Sequence, residues 1–384
     1  MTNSSAPGSP DTAAASRSYP RGTVILVGLA AAVVVSFGIA GLRDILAPVL
    51  LTMILTICAH PVGAALERRG VPRGIATGSV ILVVFALLAG FTYTLIIAFA
   101  QFTTMLPDYA DQLGEIGANV ASWLQSIGIG TEQVQAVRAS FDPGSILAFF
   151  SGLLGSVFGI TGGLIIVLTM LILMSADAVY VPTVLRQMSD RRPHLADALR
   201  AYASGVRTYM VVTTLLGIAQ GILNTIALAI MGVPAALLWG LLAFLCSFIP
   251  NIGYFFAIIP PIVFGFLVGG WPTVIAVIVV YGIINAVVQS VIQPRVVGNA
   301  VSLSQTLTFF SVLFWALIIG PIGAILAIPL TLLVRTVLVD SNPDARWIRP
   351  VIGDTLETRA IMRADDATAK RARQQRRQRA SRDH

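Results

Sequence analysis

Long apolar runs, separated by short polar stretches that carry arginine, dominate the chain. An α-helix needs about 20 consecutive apolar residues to cross a bilayer, and it satisfies its own backbone groups without water. The pattern therefore predicts an all-α, polytopic membrane protein with about eight membrane segments. The uninterrupted runs cover 23–41, 46–66, 74–100, 152–176, 209–232 and 271–292.

Two further apolar segments, 235–268 and 306–338, contain proline and glycine in mid-run. Proline removes a backbone donor and clashes inside a helix, so these residues predict helix ends within each segment. The predicted breaks lie at 250–253 (Pro-Asn-Ile-Gly), Pro260, Pro261, 320–323 (Gly-Pro-Ile-Gly) and Pro329.

Three geometries fit the broken segments. Each broken segment forms either a discontinuous crossing helix, a re-entrant hairpin that enters and leaves on one side, or a long tilted helix with proline kinks. In the hairpin geometry, 209–268 and 271–338 form an inverted repeat. Broken segments at corresponding positions of two repeats point to the binding site of a transporter.

The charges between the runs predict the orientation of the chain. The loop 67–73 carries three arginines and the stretch 177–208 carries five, so both are expected in the cytoplasm by the positive-inside rule. The segment 101–150 holds several acids and one arginine and is expected outside. This arrangement places both the N- and C-termini in the cytoplasm.

The external segment also has a heptad pattern of apolar residues, which places them on one stripe of a helix. The stripe is either a subunit interface or the face of a helix that lies on the bilayer surface or on neighbouring spans. Its members are Leu106, Tyr109, Leu113, Ile116, Val120, Trp123 and Ile127.

The chain divides into a leader, 1–22, a transmembrane permease domain, 23–340, and a tail, 341–384. The leader is rich in Ser, Ala, Pro and Gly, which predicts disorder. The permease domain includes an external helical insert, 101–150, and a cytoplasmic helical loop, 177–208. The tail is crowded with Lys and Arg, so we expect it to contact anionic lipid and not nucleic acid.

Composition excludes other classes of protein. The chain is 56% hydrophobic and 11% charged, whereas soluble domains carry about 25% charged residues. The cysteines and histidines lack the spacing of a metal site, so neither a metal nor a cofactor is predicted. No phosphate-binding loop and no hydrolase motif occurs in the sequence, so we expect a transporter without catalytic residues and not an enzyme.

Amide side chains recur at helical spacing inside two of the runs. Gln220 and Asn224 are four residues apart, and Asn285, Gln289 and Gln293 form a second row. In lipid such side chains must face protein or water. They either line a path for a small polar solute or form hydrogen bonds between helices.

Several short motifs carry a resemblance to a known family. They are Tyr-Ala-Ser-Gly at 202–205, Met-Gly-Val-Pro-Ala at 231–235, Phe-Ile-Pro-Asn-Ile-Gly at 248–253, Gln-Pro-Arg-Val-Val-Gly at 293–298 and the Gly-Pro-Ile-Gly stretch at 320–330. With these motifs, residues 20–340 resemble the autoinducer-2 exporter-like family, also called the PerM family.

The resemblance implies a bacterial inner-membrane permease of about eight segments that forms homo-oligomers. Members have been linked to the export of autoinducer-2, and others to sodium–proton exchange. The resemblance also implies half-helix ends near the substrate path at the motif positions Pro250, Asn251, Gly253, Pro260, Pro294, Gly320, Pro321, Gly323 and Pro329.

These observations predict a secondary-type exporter or facilitator of a small polar organic solute. One alternative is a cation–proton antiporter, but no Asp or Glu lies between Asp197 and Asp340 to carry ions at membrane depth. A second alternative is a membrane scaffold or regulator that acts through its loops and tail.

Overall fold

The computed structural model describes residues 21–250, 252–293, 295, 303–353 and 355–380. Within these ranges the chain forms helices and turns and contains no strand. The predicted leader lies almost entirely outside the described residues. Helix α1, Arg21–Gly41, belongs to a compact unit of its own that ends at Leu42.

The second unit begins at Arg43. Its first helices are α2 (Arg43–Arg68) and α3 (Arg73–Met105), and α3 continues through a 3-10 turn at Leu106–Tyr109. Two short helices follow, and then a long apolar helix that begins at the Asp142 N-cap. They are α4 (Ala110–Ser126), α5 (Thr131–Ser140) and α6 (Pro143–Asp177).

The middle of the chain contains α7 (Val181–Arg191) and α8 (Pro193–Ile230). Helix α8 joins the end of the predicted cytoplasmic loop to the run 209–232 in one unbroken helix. After α8 come α9 (Ala236–Cys246) and α10 (Gly253–Asn285), and α10 continues as a π-helical stretch, Ala286–Ile292.

The last part of the chain begins with α11 (Gln305–Ile319), whose first turn is capped by the Ser304 side chain. It continues as α12 (Pro321–Ile325) and α13 (Ala327–Arg335), followed by a π-helical turn, Thr336–Asp340. A 3-10 turn, Pro343–Ile348, leads to α14 (Arg349–Ile352) and to the charged helix α15 (Thr355–Ala380).

Aromatic side chains hold the core of the second unit together. Phe102 of α3 packs edge to face on Trp239 of α9 and on Phe264 of α10. The Trp239 and Phe264 rings stack with centroids 5.4 Å apart. This cluster fixes the first broken segment against α3, because such large buried rings contribute both apolar area and ring geometry.

Much of the remaining apolar surface is exposed. Large side chains such as Leu87, Leu215 and Ile278 point away from the protein along α3, α8 and α10. A soluble monomer rarely leaves such continuous apolar surface uncovered, whereas lipid solvates it. The exposure therefore agrees with an all-α membrane protein.

By length and composition, four stretches of the described residues can cross a membrane, or five if one bent pair counts as a span. Three shorter apolar helices accompany them: Leu26–Gly41, Ala236–Cys246 and Gln305–Ile319. The prediction of an all-α, polytopic membrane protein is confirmed. The long stretches are Arg43–Arg68, Arg73–Ser126, Pro193–Ile230 and Gly253–Ile292, and the bent pair is Ile165–Asp177 with Val181–Arg191.

One predicted break is wrong. Pro260 and Pro261 lie inside α10, which stays helical around them. Both prolines remove helical hydrogen bonds, but Ala257, Ile258 and Pro261 itself are buried, so packing holds the helix together. The break predicted at Pro329 occurs three residues earlier, at Leu326 between α12 and α13. Pro329 is the third residue of α13, where a missing N–H leaves no helical bond unmade.

The predicted stripe of the external insert divides into a covered half and an open half. Leu106 and Leu113 are fully buried, whereas Trp123 is 61% exposed and Ile127 is exposed as well. The covered half lies where Phe141, just before α6, closes on Gly117 of α4. The exposed half keeps both predicted roles, as an interface or as a bilayer-facing surface.

Candidate functional site

The first broken segment folds as a helical hairpin. The chain reverses between Cys246 and Gly253, where a Cβ on Gly253 would collide with the Cys246 carbonyl. Trp239 of α9 stacks on Phe264 of α10, and these residues lie at similar distances along the chain on either side of the reversal. The two arms are therefore antiparallel, and their close approach at the turn depends on a residue without a side chain.

A second reversal divides α10 itself. Gly270 has φ +63°, a left-handed conformation that glycine adopts without strain. A Cβ on Gly265 would meet Val277 at 3.4 Å, and one on Gly282 would meet the Tyr254 hydroxyl at 3.7 Å. The parts of α10 before and after Gly270 thus pack side by side. This agrees with the sequence analysis, in which 235–268 and 271–292 are separate segments.

The second broken segment is also a hairpin. Gly320 has φ +84°, and Pro321 starts the next helix at a position where proline is favoured. A Cβ on Gly323 would collide with the Trp315 carbonyl. Across the hairpin, Trp315 Nε1 donates to Thr331 Oγ1 at 3.0 Å.

Antiparallel arms in both segments favour the hairpin geometry over a discontinuous crossing helix. Helix α9 has 11 residues and extends about 16 Å, which is about half of a hydrocarbon core of about 30 Å. Of the predicted tip residues, Pro250 and Gly320 are half-buried, Gly253 and Gly323 are buried, and Pro321 is exposed. Asn251 and Pro294 lie outside the described residues.

The first amide row lies on a buried face of α8. Asn224 is fully buried, and in the described part of the protein neither its Oδ1 nor its Nδ2 has a hydrogen-bond partner. Gln220, one turn earlier, is buried with an unpartnered Oε1. Buried amides almost always find partners in proteins, so this pair has hydrogen-bonding capacity that the described residues do not use.

The second amide row follows the end of α10. Asn285, Gln289 and Gln293 are all half-buried, and the Asn285 Oδ1 has no hydrogen-bond partner among the described groups. The row passes through the π-helical stretch Ala286–Ile292. Such stretches are rare and occur frequently at functional sites.

Helix α8 links the predicted site residues. Its Gly217 and Gly221 lie directly against Phe244 of the first hairpin, so α9 packs on the part of α8 that carries Gln220. Helix α8 also contacts α13 of the second hairpin, and α11 contacts α2. The structure thus places the two hairpins on a common helix but does not join the two amide rows by any hydrogen bond between described residues.

The sequence interpretation missed two polar features. One is a cavity of about 190 Å³ between α2, α3 and the bend after α6. The other is an ion cluster in which Asp340 contacts both Arg335 and Arg349. The spacing of Thr56, His60 and Glu67 along one face of α2 was the available signal for the cavity. The ion cluster had no signal, since it depends on how the tail folds back.

Comparisons with known proteins identify relatives over most of the chain. The model of the family described as "AI-2E family transporter" matches residues 24–341. The chain is similar to the AI-2 transport protein TqsA of Escherichia coli strain K12, with 27% identity over 317 residues that cover 83% of this chain and 92% of that protein.

Two further relatives have less specific names. The putative transport protein YhhT of the same strain is 28% identical over 311 residues, which cover 81% of this chain and 88% of that protein. A putative transport protein of Haemophilus influenzae is 29% identical over 335 residues, which cover 86% of this chain and 96% of that protein. In each case the similarity extends over most of both chains.

Proposed function

Because this chain belongs to the AI-2E family of transporters, we propose that it moves a small polar organic solute of the autoinducer-2 type across the bacterial inner membrane. The proposed mode is a secondary-type exporter or facilitator. The family places the chain among multi-pass membrane transporters, and the solute class is carried over from the relative named for AI-2 transport.

The observation that carries the proposal is the pair of buried amides on α8. An amide without partners in a buried site costs free energy, about 1–3 kcal/mol for each unsatisfied group. That cost is compensated when a polar solute or water occupies the site during transport. We propose that Asn224 and Gln220 line the solute path, together with Asn285, Gln289 and Gln293.

The hairpin tips support the same location. Backbone that leaves the helix at membrane depth is tolerated only against protein or a water-filled cavity. The two tips, at 250–253 and 320–323, belong to hairpins that both contact α8. We propose that a change in the packing of the hairpins on α8 opens the path alternately to each side of the membrane, with Pro250, Asn251, Gly253, Pro260, Gly320, Pro321 and Gly323 at its edge.

The proposed orientation follows from charge. The arginine-rich loop 67–73 and the α7 region face the cytoplasm, as do both termini, and α4 and α5 lie outside. The exposed half of α4, with Trp123 and Ile127, is the proposed contact between copies in a homo-oligomer. The exposed basic side chains of α15, such as Lys370 and Arg371, are proposed to contact anionic lipid.

Solute flux in proteoliposomes tests the transport proposal. Vesicles that contain the purified full-length chain are loaded with autoinducer-2 or with other small polar metabolites, with and without a pH gradient. We expect flux from the wild type and a loss of about tenfold or more in the Asn224→Leu and Gln289→Ala variants, since each removes a polar contact in the path. Ser290→Ala, at an exposed neighbour of Gln289, is the matched control.

Three other outcomes of the flux experiment would change the proposal. Flux that persists in both amide variants would move the path away from these rows. The absence of flux for every solute from well-folded protein would remove the transporter proposal and favour a scaffold, for which deletion of 341–384 would be the sensitive change. Flux that requires the pH gradient would identify proton coupling.

A further inference from the structure

A cavity of about 190 Å³, with both polar and apolar residues in its lining, lies apart from both hairpins. Helix α2 forms one wall and α3 the second, and the chain between α6 and α7 forms the third. The direction of the chain changes by 59° between Ile165–Asp177 and Val181–Arg191, and this bend leaves a gap beside α2. The gap is closed on one side where Gly63 of α2 approaches Val80 of α3, since a Cβ there would be 3.7 Å from Val80 Cγ2.

The polar lining has a regular origin in the sequence. Thr56, His60 and Glu67 recur along α2 at intervals of four and seven residues, which places them on one face of the helix. Arg73 and Thr77 are one turn apart on α3, and Ser175 comes from the end of α6. The six polar residues that line the cavity are Thr56, His60, Glu67, Arg73, Thr77 and Ser175.

The charged groups of the cavity balance each other. Arg73 Nε lies 3.6 Å from Glu67 Oε2, and both side chains are partly exposed. An ion pair of this length and exposure is weak, so the guanidinium and the carboxylate both remain available to a ligand. Because the pair is neutral as a whole, it favours neither an anion nor a cation.

The hydroxyl groups supply acceptors. Thr56 Oγ1 donates to the Thr52 carbonyl at 2.8 Å, so its oxygen is left to accept a hydrogen bond from a ligand. Thr77 and Ser175 add two further hydroxyls, and the His60 ring can donate or accept. The lining therefore offers both donors and acceptors, while Val80 and Val179 add apolar wall.

The size of the cavity limits its occupant. Pockets for drug-sized ligands measure about 300–1,000 Å³, so this cavity suits a smaller metabolite. A neutral molecule with several hydroxyl or carbonyl groups can bind to these donors and acceptors without separating Glu67 from Arg73. An anion would have to compete with Glu67 for Arg73, and a cation would have to compete with Arg73 for Glu67.

We infer that this cavity is a binding site for a small, neutral, polyhydroxylated solute, at which the solute is loaded from the side of the arginine-rich loop 67–73. The inference deepens the proposed function and rests on it for the direction of loading. The solute enters past the Glu67–Arg73 pair and is held by the hydroxyls and the imidazole before it reaches the path beside α8.

Equilibrium binding to the purified full-length chain in detergent tests the site without requiring transport. The probes are autoinducer-2, D-ribose and glycerol as neutral molecules, pyruvate as an anion and choline as a cation. We expect at least one neutral probe to bind, and its dissociation constant to rise about tenfold in His60→Ala and in Thr77→Val, the loss of about one hydrogen bond each. Ser79→Ala, two residues from Thr77 on α3 but outside the cavity lining, should bind as the wild type does.

A labelling experiment places the bound probe in the cavity. Cys58 and Cys246 are the cysteines of the chain, so the Ser175→Cys substitution in a Cys58→Ser, Cys246→Ala background creates one reactive thiol. We expect a small maleimide to alkylate this thiol, and the neutral probe to slow the reaction several-fold. Thermal unfolding of each variant shows that it is folded before it is labelled.

The outcomes separate this inference from the transport proposal. Binding and protection without flux would keep the cavity as a binding site and remove the proposed function. Flux that depends on Asn224, with no protection of the thiol and no effect of His60→Ala on binding, would keep the transporter and overturn the cavity as a binding site. Tighter binding of pyruvate or choline than of every neutral probe would overturn the proposed class of solute.

Discussion

The side chain of Arg207 donates a hydrogen bond from Nε to the main-chain carbonyl of Ile57, at 3.0 Å. Pro61 lies four residues after Ile57 in α2, and proline has no N–H with which to complete the helical bond to that carbonyl. A residue 150 positions away in the sequence therefore supplies the donor that α2 lacks. The contact ties α8, the helix common to both hairpins, to α2.

Arg207→Met should lower the free energy of unfolding by about 1.5–3 kcal/mol, the usual contribution of a hydrogen bond to a charged group. In a Pro61→Ala background the same substitution should cost about 1 kcal/mol less, since alanine at this position restores the helical donor to the Ile57 carbonyl. Denaturation in mixed detergent micelles of the wild type, the two single variants and the double variant measures this coupling. Arg200→Met is the surface control. If the effects of the two substitutions are additive, Arg207 does not compensate for the proline.

Gly323→Ala should distort the second hairpin. The added Cβ collides with the Trp315 carbonyl and with Ile319, and overpacking of this kind typically costs about 1–3 kcal/mol. We expect a lower melting temperature in detergent and reduced flux. The control is Gly78→Ala in α3, where an added Cβ meets no atom within 4 Å, and alanine should be tolerated or slightly stabilising.

An unchanged melting temperature for Gly323→Ala would mean that the two arms of the second hairpin move apart to accommodate the added Cβ at little cost in stability. In that case flux becomes the decisive measurement. Normal flux from the variant would contradict the proposal that the close packing of this tip is needed for transport.

The hydrogen bond between Trp315 and Thr331 should hold the arms of the second hairpin together. Trp315→Phe and Thr331→Val each remove it, and each should cost about 0.5–1.5 kcal/mol beyond any loss of packing. The double variant should cost less than the sum of the two, because the bond can be lost only once. Strict additivity in a double-mutant cycle would show that the bond contributes nothing to stability.

The apolar pattern could predict the helices and the hairpin tips because both depend on local sequence. Gly320, within a predicted break, adopts a backbone angle that few other residues tolerate, so the sequence indicates that turn directly. The sequence predicts the turn at Gly270 only as the boundary between two apolar runs. Pro260 shows where local rules fail, because the packing of its neighbours outweighs the lost hydrogen bond. The contact of Arg207 with Ile57 and the cavity beside His60 could not be predicted, since both depend on which distant helices meet.

Substitution of Asp340 should release the start of the tail. Asp340 is 17% exposed and contacts Arg335 Nε at 3.3 Å and Arg349 Nε at 2.9 Å. Further along the tail, the carbonyl of Ile352 in α14 accepts a hydrogen bond from the backbone N–H of Ser304, just before α11, at 3.3 Å. Asp340→Asn removes the carboxylate charge from beside Arg335 and Arg349, so we expect a loss of about 1.5–3 kcal/mol in the free energy of unfolding, the usual contribution of a hydrogen bond to a charged group. Limited proteolysis should then cleave the tail faster at 343–353.

The control is Asp197→Asn, which breaks a surface pair with Arg200 in which the carboxylate is 72% exposed. This substitution should change the free energy of unfolding by no more than about 0.5 kcal/mol. Equal effects of the two substitutions would show that the Asp340 cluster is no stronger than a surface ion pair and does not anchor the tail.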